Sequence, residues 1–166
     1  MESHFGAGPV VVGMMPDQDP AVLKSAVSLA VATGAQLMGA YVDPASILIE
    51  WDPDGDIESQ SLELAVGPED DVAQEAHLLS LLLDEVTKPA NLSHSFRILG
   101  GDPAKALGRL GAAESASVIV VGARHAGLLA RVDEALAGSV VRRLLSTQPI
   151  PVLAVPRVDS HARHHL

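Results

Sequence analysis

The chain has no cysteine among its 166 residues, so disulfides, thiolate nucleophiles and cysteine-held metal clusters are excluded. That absence suits a reducing compartment. Aromatic residues are scarce: Phe5, Tyr41, Trp51 and Phe96 are the full set. The core must therefore be built from Val, Leu, Ile and Ala, a composition that favours parallel strands covered by helices. No apolar run approaches the ~20 residues of a membrane span. Met1-Glu2-Ser3-His4 lacks the positive start and apolar core of a secretion signal. A soluble cytoplasmic protein with no membrane partner is the expectation.

Basic residues are missing between Lys24 and Lys88, an interval that holds Glu50, Asp52, Asp54, Asp56, Glu58, Glu63, Glu69, Asp70, Asp71 and Glu75. With a net charge of −10, phosphate backbones would be repelled, which argues against a nucleic-acid partner. The acidic run reads as a solvated loop and lacks the spacing of a calcium-binding loop. Enzyme signatures are also wanting. There is no Gly-Lys-Ser/Thr run, no Gly-x-Ser-x-Gly elbow and no Ser/His/Asp order around one strand end. No catalytic residue is assigned, and slow ATP hydrolysis is the most the chain would support. His161, His164 and His165 fall in the expected flexible tail, which would offer a metal no fixed geometry, and no metal site is assigned.

Hydropathy alternates between strand and helix patterns along one domain, residues 1–157, with 158–166 expected as a flexible tail. Val10 to Met14 reads as a buried strand, and Asp17 or Asp19 with Pro20 opens a helix that Gly34 stops. Gln36 to Val42 is a second strand. Ala45 to Gly67 is irregular. A helix follows from Pro68, with Ala76, Leu79, Leu82, Leu83 and Val86 expected on its inner side, and Pro89 ends it. Ser93 to Leu99 alternates like a half-exposed strand, Asp102-Pro103 starts another helix, and Ser117 to Val121 is a fourth strand. A final helix is expected from Gly138-Ser139 to about Ser146, burying Val141, Leu144 and Leu145. Ile150 to Pro156 closes the chain as a strand whose flanking prolines mark either an edge strand or simply its ends. Five strands interleaved with helices give an α/β fold with a parallel sheet.

The richest stretch is Val118-Ile119-Val120-Val121-Gly122-Ala123-Arg124-His125-Ala126-Gly127, followed by Gly138-Ser139-Val140-Val141. A β-branched strand ends in glycine, and after a loop a second glycine with a hydroxyl is expected to open a helix. Parallel sheets present backbone amides to an anion in this way. Arg124, Arg131 and His125 could add donors. Asp133 and Glu134 would bind Mg²⁺ or, more simply, face water.

The order of these pieces resembles the universal stress protein family. The segments that carry it are the opening strand with its Asp-Pro-started helix, Gly101-Asp102-Pro103-Ala104, Ala116 to Arg124, and Gly138-Ser139-Val140 closing on Pro149 to Val155. The resemblance implies a doubly wound five-stranded sheet of order 3-2-1-4-5, a stress-response or regulatory role, and a homodimer. The dimer is expected through the last strand, Val152, Leu153, Ala154 and Val155. It also implies an adenine nucleotide, ATP or AMP with Mg²⁺, at the carboxyl ends of strands 1 and 4. Met14, Met15, Pro16 and Val42 would lie at the base, and Gly122, Arg124, His125, Gly127, Gly138, Ser139 and Val140 at the phosphates. The ATP-binding branch carries Gly-x-x-Gly and, further on, Gly-Ser/Thr. Here His125 replaces the middle glycine, and Met15 stands where an acidic residue usually sits by the adenine. A nucleotide-free dimeric interaction module is the alternative.

Overall fold

In the computed structural model the described residues are 6–45, 70–123 and 133–157. They form β1 (Val10–Met14), α1 (Pro20–Thr33), β2 (Leu37–Asp43), α2 (Asp70–Thr87), β3 (His94–Gly100), α3 (Pro103–Ala113), β4 (Val118–Ala123), α4 (Asp133–Thr147) and β5 (Val152–Pro156). The strands make one parallel sheet of order β3-β2-β1-β4-β5. This is the expected order, and β5 lies at an edge, one of the two readings its flanking prolines allow.

Because strand side chains alternate between faces, a run of Val and Ile serves two cores at once. Val10, Val12, Met14, Leu37, Tyr41, Val118 and Val120 face α1 and α2, where Val22, Leu23, Ala26, Leu79 and Leu83 cover them. Val11, Met38, Ala40, Ile119 and Val121 face Ala104, Leu107, Leu110 and Leu144 of α3 and α4.

Local chemistry sets the helix ends. The Asp19 carboxylate accepts from the Ala21 amide at 2.9 Å ahead of Pro20, and the Asp102 carboxylate accepts from the Lys105 amide at 3.0 Å ahead of Pro103. Asp19, not Asp17, is the cap of α1. Its end is held by Gly34 at φ +67°, a left-handed conformation that glycine adopts without penalty.

Three expectations need correction. Helix α4 begins at Asp133 rather than at Gly138: two acids near its positive end and the helix formers Ala135, Leu136 and Ala137 carry it through the glycine. Leu145 is 63% exposed, because it turns ~100° from Leu144, the residue that points at the sheet. Leu82 is likewise 44% exposed; Ala76, Leu79 and Leu83 already fill the inner stripe of α2. The expected tail, 158–166, and most of the loop from Ala45 to Gly67 lie outside the described residues.

Candidate functional site

The ladder between β1 and β4 is shorter than its neighbours. β1 pairs with β4 only from Val10↔Val118 to Val12↔Val120, whereas β1 continues along β2 to Met14↔Tyr41 and β4 along β5 to Ala123↔Pro156. Beyond Val12↔Val120 the pairing of β1 with β4 ends, and the helices that follow them, α1 and α4, pack on opposite faces of the sheet. In open α/β sheets this reversal of strand order at the carboxyl ends is where ligands bind.

Gly13 and Gly122 lie on the two sides of this crevice, and Gln18 spans it. The Gln18 carboxamide Nε2 donates to the Gly13 carbonyl at 2.9 Å. It would stand 3.8 Å from a Cβ placed on Gly122, with Val22 Cγ2 at 3.1 Å. Any side chain at 122 would therefore press into α1. Gln18 was not singled out from the sequence: a glutamine between two acids before a proline carries no motif, and only the turn at Asp17 (φ +57°) aims it back at β1.

Of the residues expected at the base, Met14 is buried in the core under α1 and α2, Met15 is 43% exposed and Pro16 is half-buried in the turn. Val42 packs toward α3 and α4. At the phosphate end Gly122 occupies the crevice side, and Val140 is half-buried against α3. Gly138 and Ser139 lie in the second turn of α4. The unpaired amides of a helix are those of its first four residues, here 133–136, so the ladder already engages the amides of Gly138 and Ser139. Arg124, His125 and Gly127 lie outside the described residues.

The rim is tied together by a small polar system. The Gly101 amide donates to the Asp43 carbonyl at 3.0 Å, and the Arg143 guanidinium pairs with Asp102, joining α4 to the start of α3. Partial burial works against ionisation of Asp102, but the Lys105 amide and the Arg143 guanidinium outweigh it and hold the carboxyl below the usual carboxylate range. On the other face the Tyr41 hydroxyl donates to Glu75 at 2.8 Å. Burial first, and then that carboxylate, push the phenol well above its ordinary range.

One array superficially suits nucleophilic catalysis. His94 Nε2 meets Asp84 at 2.6 Å and Nδ1 meets the Thr87 hydroxyl at 3.0 Å. Thr87 is 1% exposed and donates its proton to the Leu83 carbonyl at 2.8 Å, so its oxygen can neither reach a substrate nor give its proton to the imidazole. The array instead staples α2 to β3. Among the described residues no group of three or more His, Asp or Glu is placed to hold a metal ion. No helix described is long and apolar enough to cross a membrane.

A parallel five-stranded sheet whose strand order reverses beside β1 defines an open α/β domain. The chain belongs to the universal stress protein family, whose profile matches residues 7–156. It is similar in fold to the universal stress protein from Archaeoglobus fulgidus (19% identity, 89% of this chain and 98% of that one, TM-score 0.62). It also resembles a universal stress protein in complex with cAMP (19%, 92% and 100%, 0.58), and one from Archaeoglobus fulgidus in complex with dAMP (18%, 89% and 97%, 0.57). No curated protein sequence matches the chain.

Proposed function

We propose that this chain is a regulatory protein that binds an adenine nucleotide, ATP or AMP, in the crevice between the ends of β1 and β4. The observation that carries this reading is the parting of β1 from β4 after Val12↔Val120 with Gly122 beside it. The complexes of two similar folds with cAMP and with dAMP support it. The base would lie over the turn at Met15 and Pro16 and against the end of β2 at Val42, recognised by backbone groups, since no acidic side chain stands at Met15. The phosphates would face Gly122, the loop carrying Arg124, His125 and Gly127, and the start of α4. Direct phosphate contact by the amides of Gly138 and Ser139 requires the first turn of α4 to unwind to that point. Mg²⁺ would be brought by ATP. The protein works by changing what it contacts when loaded, in the cytoplasm, rather than by turnover.

The test is mass spectrometry of small molecules released on denaturing the purified protein, with calorimetry using added ATP and AMP. Retained nucleotide, or heat that Gly122→Val abolishes, is expected. No retained nucleotide and no heat at millimolar ligand defeat the proposal.

The exposed edge favours a second reading. Leu153 is 38% exposed and Ala154 is exposed on β5, whose outer backbone groups are open to another strand. A dimer through Val152, Leu153, Ala154 and Val155, with or without nucleotide, is expected by light scattering at micromolar protein. A monomer there rules it out.

A further inference from the structure

Leu78, Leu81 and Leu82 stand on the outside of α2 with 58%, 50% and 44% of their surface exposed. Their spacing places them on one side of the helix, while Ala76, Leu79 and Leu83 turn inward. Scattered surface leucines need no explanation, but three adjoining ones form a ridge that water does not favour. Two exposed acids, Asp71 and Glu85, lie on the same side beyond its two ends. One turn of helix is ~3.6 residues, which aligns Asp71, Leu78 and Leu82, and also Leu78 and Glu85, along the axis. Within α2 there is no Lys or Arg; the nearest, the exposed Lys88, follows the helix end one turn beyond Glu85.

We propose that this face of α2 docks a positively charged amphipathic helix of another protein. The partner lays an apolar i, i+3, i+4 ridge between Leu78, Leu81 and Leu82 and sets its Lys or Arg residues against Asp71 and Glu85. Charge selects this occupant over the others. A second copy brings the same acidic helix against itself, on a chain of net charge −10. An anionic bilayer repels the flanking acids. The chain's own stretch from Glu50 to Glu69 carries Glu50, Asp52, Asp54, Asp56, Glu58, Glu63 and Glu69 with no basic residue, and is disfavoured for the same reason. The surface does not involve the crevice between β1 and β4, so it stands or falls apart from nucleotide binding.

The experiment uses fluorescence anisotropy of a labelled synthetic helix, leucine on one face and lysine on the other, titrated with the full chain. A leucine-glutamate helix and phosphatidylserine vesicles serve as competing probes. Leu81→Glu and Leu78→Ser are compared with Leu145→Glu, which changes an equally exposed leucine on α4, and circular dichroism verifies that each variant folds. The basic helix is expected to bind, to weaken with added salt, and to lose about tenfold or more in affinity with Leu81→Glu and Leu78→Ser but not with Leu145→Glu. No binding by the basic helix overturns the proposal, as does equal loss in all three variants. So does preferential binding of the acidic helix or the vesicles, or a wild-type dimer that Leu81→Glu dissolves.

Discussion

Replacing Gln18 by alanine separates two quantities that the structure couples. The carboxamide donates to the Gly13 carbonyl at 2.9 Å and lies between β1 and Gly122. A hydrogen bond of this kind contributes a net ~1 kcal/mol to stability, and the half-buried Gly13 carbonyl can recover part of that from water. Gln18→Ala should therefore lower the melting temperature by about 3 °C for a domain of this size. A nucleotide entering the crevice has to displace the same bond, so the variant should bind ATP about fivefold more tightly, ~1 kcal/mol converted at 1.36 kcal/mol per decade. Differential scanning fluorimetry reads the first effect and titration calorimetry the second. The two must move in opposite directions. An unchanged melting temperature would remove the energetic role of the bond. Unchanged affinity would show that Gln18 does not occupy the ligand's place, and weakened affinity would mean that the carboxamide touches the ligand.

Gly138→Ala should raise stability by up to ~1 kcal/mol, since glycine sits inside α4, yet weaken ATP binding if the phosphates approach its backbone; denaturant melts and calorimetry read the pair. Gly39→Ala should cost roughly 1–3 kcal/mol, because the new methyl would lie 2.8 Å from Met14 Sδ and 2.9 Å from Leu83 Cδ2, and a lowered urea midpoint checks it. Asp102→Ala should cost about 1 kcal/mol through its lost cap, with little added by the wet Arg143 pair. The lowered pKa of Asp102 means that its contribution is present above the ordinary carboxylate range and fades as acid protonates it. His94 behaves with the opposite sign: the Asp84 hydrogen bond, aided by the Leu92 carbonyl, raises its pKa. Its contribution is whole below the unfolded-state value and fades as pH climbs through the folded one, and His94→Gln should flatten that slope in pH-dependent melts.

Much of the architecture is legible in the sequence. Val10 to Met14 and Val118 to Val121 are apolar without interruption because both faces of a central parallel strand are covered, and Pro20, Pro103 and Gly34 mark helix ends through fixed or permissive φ. The two-core division followed from alternation alone once the strands were placed. The two misplaced leucines share one cause. Helical periodicity names the residues able to face inward without saying how many the neighbours have room for, so it points Leu82 and Leu145 at a core that other side chains already fill.

The crevice belongs to the other category. That Gly122 ends a strand is local information, but the parting of β1 from β4 after Val12, the return of Gln18 onto Gly13 and the grip of Arg143 on Asp102 join residues distant along the chain or aimed by one turn. Sequence by itself determined which segments are strands and helices, because backbone conformation and apolar periodicity act over a few residues. Tertiary structure alone decided what fills the space between the central strands, because that depends on which side chain arrives there first across the fold.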